Sequence, residues 1–285
     1  MIIKITKLAT LCLGLCCSCS TSKILLDAPA RQKCFQVLRE GLKSDAFWPS
    51  MHAAEALTLA GNSKEVRRLL ETKLQAETDD RRRCGLAREL VRAGDMAKSA
   101  VMLNILKGNN SYGHVHAAES LYKVGWNGND APLRAAFEQK KNDILRLMAA
   151  GALAKHSEDA KAMAFLREHM RTSTDPAQFR ITAWLLGRIG GAKDAALIKA
   201  RLKDTPNALT RAYLEHALAA LGDADGQAAL VSNLESEDPG IKVYAAVFAG
   251  DARMTSVKRQ LTSLLNSNHL DTRIRAAQSL LVLAH

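Results

Sequence analysis

The sequence predicts an all-α fold: a right-handed α-solenoid of about eight helical hairpins. A motif of small residues, a polar residue and Leu, followed by Gly or Asp, returns every 31 to 33 residues. Self-similarity at such a period indicates stacked repeats, each burying its apolar face against its neighbours. The first three copies of the motif are 52–57, 86–90 and 116–121.

The second small residue of the motif provides an anchor for each repeat. A helix surrounds every anchor, and amphipathic periodicity predicts a second helix upstream of it. The anchors are Ala54, Ala87, Ala118, Ala150, Ala183, Glu215, Ala246 and Ala277. The predicted upstream helices are 32–42, 65–76, 131–139, 160–170, 195–202 and 257–265.

Polar residues that favour helix N-caps stand eight positions before six of the anchors. Their side chains can accept hydrogen bonds from the free amides of the first helical turn. Pro176 and Pro239 follow two of them, at the position where a missing amide costs nothing. The predicted N-caps are Asp79, Asn110, Asn142, Asp175, Asn207 and Asp238.

A basic row stands four residues before five anchors: Arg83, Arg146, Arg211, Lys242 and Arg273. An Asp-Pro start, a basic residue, Ala-Ala-x-x-Leu and Gly together resemble HEAT repeats, most closely the short kind named after phycobilisome lyases. Segments 175–190 and 238–246 carry this resemblance best, and it extends over 31–285. It implies a non-enzymatic scaffold whose second helices form a concave face, with the Asp and basic residues forming a ladder between repeats.

The first residues resemble the signal peptide of a bacterial lipoprotein. Lys4 and Lys7 precede a short apolar stretch, 8–15, which ends in a cysteine cluster. Ser18-Cys19-Ser20 favours Cys19 as the lipidated residue, with Cys16 and Cys17 as alternatives. The predicted organisation is a signal peptide with lipobox at 1–19, a tether at 20–30 and the solenoid at 31–285. Because no Asp follows the candidate cysteines, we expect an outer-membrane lipoprotein facing the periplasm.

The charge balance favours an acidic partner. The formal net charge is +11, and +9 without Lys4 and Lys7. Behind a signal peptide, this charge indicates acidic headgroups, an anionic polysaccharide or an acidic protein face, and no nucleic acid is expected.

The two cysteines outside the leader, Cys34 and Cys84, are expected to be separate buried thiols, although a disulfide between neighbouring repeats is an alternative.

Chemistry-bearing motifs are few. His52/Glu55 and His116/Glu119 each share a helix face, a spacing that metal sites use in the reverse order. Two repeats separate the pairs, which is too far for one shared metal. The sequence has no phosphate-binding Gly-rich loop and no Gly-x-Ser-x-Gly. We therefore expect no enzyme, no metal and no cofactor; a metal-dependent HEAT-like enzyme is the weakest alternative.

These observations predict a non-enzymatic protein-binding or scaffold lipoprotein of the cell envelope, attached to the membrane through its N-terminal lipid. The alternative is a binder of a polyanion through the basic row. Among the aromatic residues Trp48, Tyr112, Trp126 and Trp184, Trp126 is the leading candidate for an exposed binding side chain, because Gly and Asn surround it.

Overall fold

The computed structural model describes residues 23–285, and within that range it contains sixteen α-helices and no strand. Consecutive helices form eight hairpins, which confirms the predicted all-α fold of stacked repeats. The first helices of the hairpins are α1 (Ala28–Leu42), α3 (Ser63–Ala76), α5 (Ser99–Lys107), α7 (Ala131–Glu138), α9 (Ala160–Thr172), α11 (Ala192–Leu202), α13 (Ala224–Asn233) and α15 (Lys258–Leu264).

The second helices pack against one another in order and are called the inner helices. Every repeat anchor lies in one of them. They are α2 (Phe47–Leu59), α4 (Asp80–Arg92), α6 (His114–Val124), α8 (Asp143–His156), α10 (Pro176–Ile189), α12 (Ala208–Ala220), α14 (Pro239–Asp251) and α16 (Leu270–Leu283). The seven alanine anchors are fully buried, because only a small side chain lets adjacent helices approach this closely.

The predicted N-caps explain where the inner helices begin. The side chains of Asp79, Asn142 and Asp175 accept hydrogen bonds from first-turn amides at 2.8–3.0 Å. Asn207 and Asp238 do the same at α12 and α14. Asn110 differs, since it caps the short 3-10 turn Ser111–Gly113, and α6 follows that turn.

The stack closes on itself into a ring. The last inner helix, α16, packs against both α1 and α2, so the eight inner helices of the described residues form a complete circle. A single apolar cluster joins the first two hairpins to the last two. At this seam, a Cβ added to Gly41 would lie 2.6 Å from Cδ1 of Ile274, so the seam needs glycine. The inner helices, predicted to form the concave face, therefore line the inside of a ring that the seam closes.

Polar contacts reinforce the seam. Nδ1 of His52 lies 2.7 Å from Oδ1 of Asp271, and Arg275 donates to Glu55 at 2.8 Å. The amide of Ile24 donates to the carbonyl of Leu283 at 3.0 Å. The two side-chain contacts join residues about 220 positions apart in the chain.

Cys34 and Cys84 are free and buried, as the sequence analysis expected. Burial raises the pKa of Cys34 to about 11 and that of Cys84 to about 12, so both thiols stay protonated at neutral pH.

Candidate functional site

The ring encloses a central cavity of about 440 Å³, which all eight inner helices line. Most of the lining side chains stand two residues before, one residue after or five residues after an anchor. The three positions share one helix face and lie about one helical turn apart. Each inner helix therefore contributes up to three lining side chains, one above another along the helix. The face predicted to be concave, formed by the second helices, is thus the wall of this cavity.

Charged side chains from most of the inner helices line the cavity. Glu55 lies 3.0 Å from Nη2 of Arg92 and 2.8 Å from Nη1 of Arg275. Burial by itself would raise the pKa of Glu55, but the two guanidinium groups outweigh it and hold the pKa well below its usual value. Glu55 therefore stays ionised. From the first repeat it binds Arg92 of the second repeat and Arg275 of the eighth.

Glu119 forms a second ion pair in the lining, with Nζ of Lys123 at 2.7 Å. Burial would raise its pKa, yet the charges of Lys123 and Arg88 outweigh burial and lower it to about 2. A further lining pair joins Arg188 to Asp251 at 2.6 Å, and both residues lie at the ends of their helices. Asp271 is hydrogen-bonded to His52. Every carboxylate that lines the cavity therefore has a basic residue as its partner.

Aromatic and apolar side chains also line the cavity, directly beside the charged ones. The rings of Tyr213 and Tyr244 lie 4.6 Å apart, and those of Tyr122 and Trp184 lie 4.9 Å apart. The Tyr122 hydroxyl is buried and has no hydrogen-bond partner among the described residues. The remaining apolar lining consists of Met148, Ile181, Val243 and Val247.

Lys155 is the cavity cation without a carboxylate partner in the described part of the chain. It is exposed, donates to the carbonyl oxygen of Tyr122 at 3.1 Å, and its ammonium lies 4.8 Å from the Tyr122 ring centroid. Desolvation, then the charges of Arg92 and Arg188, lower its pKa. A bound anion would relieve the repulsion among these cations.

Neither predicted His-Glu pair forms a metal site of its own. His52 and Glu55 turn to different partners, Asp271 and the two arginines. His116 lies 3.8 Å from Glu119, but Lys123 holds that carboxylate more closely. Across residues 23–285, no group of three or more His, Cys, Asp or Glu side chains is arranged to hold a metal ion.

The basic row does not line the cavity. Arg146 and Arg273 donate to backbone carbonyls of their own hairpins, those of Phe137 and Ser267. Arg83 and Arg211 pair with acidic residues of their own helices, Asp80 and Glu215. For these four residues, the ladder between repeats that the family resemblance implies is wrong. Binding of a polyanion by the row stays a prediction, and a steep loss of binding with added salt would test it.

An exposed patch, called here the aromatic patch, covers the ring face where α2, α4 and α6 begin. It consists of Phe47, Trp48, Arg81, Arg82 and Tyr112. Trp48 stacks on His116, with ring centroids 5.1 Å apart, although one repeat lies between them. Gly85 allows this, because a Cβ there would lie 3.0 Å from Phe47 and 3.2 Å from Trp48.

Arginines surround the rings of the aromatic patch. The guanidinium of Arg81 lies 3.9 Å from the centroid of the Tyr112 ring, and that of Arg82 lies 5.5 Å from Phe47. The Tyr112 hydroxyl donates to Asp79 at 3.0 Å. Trp48 is 37% exposed and Tyr112 is 47% exposed, so both present large aromatic surface to solvent.

Trp126, the leading candidate from the sequence, is half-buried. Its ring meets the edge of His156 at 5.5 Å, and both residues line a shallow surface pocket with Met96 and Asn129. Its role in binding stays a prediction.

The candidate lipidation sites Cys16, Cys17 and Cys19 lie outside the described residues, and no helix of the described part has the length and apolar character to cross a membrane.

The sequence analysis missed the basic residues that do face the cavity. Arg92, Lys123, Lys155 and Arg188 stand five residues after consecutive anchors, and 31, 32 and 33 residues separate them. Each lies in the last turn of its inner helix. The repeat period could have revealed this row, but only the ring shows that its positions face inward.

Comparison with known families supports the repeat assignment. Residues 130–219 match the family model for HEAT repeats. A search among curated proteins found no match. The matched segment covers α7 to most of α12, and the hairpins outside it carry the same anchor spacing and the same order of helices. HEAT repeats commonly act as scaffolds for protein interactions. Residues 130–219 of this chain are therefore similar to HEAT repeats, and the other hairpins share their architecture.

Proposed function

We propose that this protein is a non-enzymatic scaffold that binds an acidic segment of a partner protein through its aromatic patch. The observation that carries the proposal is the exposed cluster of Trp48, Tyr112 and Arg81 across three repeats. Trp, Tyr and Arg are the residues that most often dominate the energy of protein interfaces. Because consecutive repeats position them, their spacing is fixed before a partner binds, which lowers the entropic cost of association.

The charge of the patch supports an acidic partner. The carboxylates near it are engaged within the chain: Asp80 pairs with Arg83 at 2.9 Å, and Asp79 accepts from Tyr112 and from the first-turn amide of Arg82. Arg81 and Arg82 remain exposed above the rings. An acidic segment with apolar side chains complements such a surface, and the positive charge of the chain would speed the encounter.

The proposal also includes a membrane anchor, for which the support is the N-terminal sequence. A diacylated cysteine at Cys19 would hold the scaffold at a membrane surface, since each buried methylene contributes about 0.8 kcal/mol. We expect labelled palmitate to be incorporated into the full chain and into Cys17→Ser, and to be lost in Cys19→Ser. Equal incorporation in both variants would contradict the assignment of Cys19.

The binding role is tested with the full chain, purified in detergent and immobilised. Trp48→Ala should remove the partner that wild type captures from an envelope extract. The matched control is Leu59→Ala, which truncates another exposed apolar residue, 49% exposed, at the opposite end of the same helix. Thermal melting of both variants checks that the ring remains folded.

The captured protein is then titrated against the purified variants. We expect Trp48→Ala to weaken binding by at least about 2 kcal/mol, as for an interface hot spot, and Leu59→Ala to leave it unchanged. If Trp48→Ala and Leu59→Ala bind the partner as wild type does, the aromatic patch is not the binding surface, and the proposal fails.

A further inference from the structure

We propose that the central cavity is a binding site for a small aromatic monocarboxylate, a function separate from the scaffold role of the outer surface. The volume of about 440 Å³ lies within the range of small-molecule sites. The lining combines apolar and aromatic side chains with a few placed charged groups, which is the usual composition of such sites.

The charge of the lining selects an anion. Five lysine or arginine side chains face four carboxylates, and each carboxylate already has a basic partner. Lys155 is the cation left over: its ammonium has three donors, and one of them is used on the Tyr122 carbonyl. A ligand with a single negative charge would therefore complete the charge balance of the cavity.

The aromatic residues of the lining select an aromatic body. Trp184, Tyr213 and Tyr244 line the cavity, and aromatic rings prefer to meet in stacked or edge-to-face pairs. The buried Tyr122 hydroxyl supplies a second, independent indication of a ligand. Tyr122 is 1% exposed and lines the cavity, yet its hydroxyl has no partner among the described residues, which is costly for a buried polar group.

Lys155 is placed to receive the carboxylate at the cavity mouth. It lies in the last turn of α8, between Lys123 on α6 and Arg188 on α10. Its exposure leaves the ammonium within reach of an entering anion, while Arg188 covers the Trp184 ring at 4.8 Å. The ligand would enter with its ring toward Trp184 and leave its carboxylate at Lys155.

Isothermal titration of the full chain with three naphthalene probes of equal ring size tests the proposal. The probes are 2-naphthoate, the neutral 2-naphthalenemethanol and the cationic 2-naphthylmethylamine. We expect one 2-naphthoate per chain and at least about tenfold weaker binding of the other two, because a charged hydrogen bond contributes about 1.5–3 kcal/mol.

Three variants locate the site. Lys155→Met should weaken 2-naphthoate binding about tenfold, whereas Lys155→Arg should keep it. Lys107→Met is the control, since Lys107 is also an exposed last-turn lysine but lies on the outer helix α5. Val247→Trp fills space in the cavity and should abolish binding while thermal melting shows a folded chain.

Three results would overturn the inference: no probe binds at millimolar concentration, the three probes bind equally, or Val247→Trp leaves 2-naphthoate binding intact. None of them bears on the scaffold proposal, which is measured by partner capture at Trp48. Conversely, loss of partner binding in Trp48→Ala should leave 2-naphthoate binding unchanged.

Discussion

The seam between the eighth and first repeats differs from the junctions between consecutive repeats in the way it is held together. Between consecutive repeats, a short connection keeps the two hairpins close, and alanine anchors such as Ala150 and Ala183 let the inner helices pack. At the seam, no chain connection within the described residues brings α16 to α2. The seam adds a pair of polar contacts, His52 with Asp271 and Glu55 with Arg275.

Ring closure therefore resembles a binding event between two parts of one chain. Apolar packing around Ile274 provides the stabilising area, and the Glu55–Arg275 ion pair with the His52–Asp271 hydrogen bond defines how the two ends meet. A junction held by a connection can loosen and re-form locally, whereas the seam has to bring together residues about 220 positions apart. Variants at the seam should therefore have larger effects than comparable variants elsewhere.

The largest effect is expected for Arg275→Met. It leaves Glu55, which is only 16% exposed, with Arg92 alone and removes the bond to Gln278, so the free energy of unfolding should fall by about 3–5 kcal/mol. Arg188→Met is the comparison, because its pair with Asp251 is more exposed and should cost about 1 kcal/mol or less. Urea unfolding measures both. Equal losses would contradict a special role for the seam.

A pH effect of intermediate size is expected from His216, which lies on α12, away from the seam. Burial, then the charge of Arg188, lowers the pKa of His216 to about 3. The unfolded chain takes up a proton near pH 6.5 and the folded chain does not, so stability is lost as pH falls from 6.5 toward about 3, by up to about 1.4 kcal/mol per pH unit from this histidine.

Stability against urea at several pH values measures this effect, with His216→Leu as the variant that lacks the group. We expect the variant to lose less stability than wild type between pH 6.5 and 4.5. His52 at the seam should contribute in the same direction, since burial and the Arg275 charge lower its pKa despite Asp271. The variant His52→Leu then separates the contribution of the seam to the pH dependence from that of His216. A wild-type slope unchanged by both substitutions would exclude these histidines as its source.

The smallest effect concerns helix capping next to the seam. Ala46 occupies the N-cap of α2 with extended backbone but offers no side-chain hydrogen bond, whereas Asp175 caps α10. Ala46→Ser should stabilise the protein by about 0.5–1 kcal/mol, and Asp175→Ala should destabilise it by about 1 kcal/mol. Thermal unfolding compares the two. Stabilisation by Asp175→Ala would show that capping does not control these helix starts.

The predictability of the site varied with the range of the contacts involved. The aromatic residues Trp48 and Tyr112 could be named from the sequence as recognition candidates, but their alignment depends on Gly85, whose missing side chain lets Trp48 reach His116. The basic row at four before the anchor was visible from its spacing. Its contacts with the Phe137 and Ser267 carbonyls could not be foreseen, because they depend on how each hairpin turns.

The sequence by itself determined the repeat unit: the period, the buried anchors and the N-caps are local features, and helix formation and hairpin packing depend on residues close in the chain. Tertiary structure alone decided that the stack closes. Each junction rotates one hairpin slightly relative to the next, and these rotations add up over eight hairpins. The sequence of one repeat does not reveal the total rotation. Closure brings Asp271 to His52 and Arg275 to Glu55, and it converts an open inner surface into a central cavity with Lys155 at its mouth.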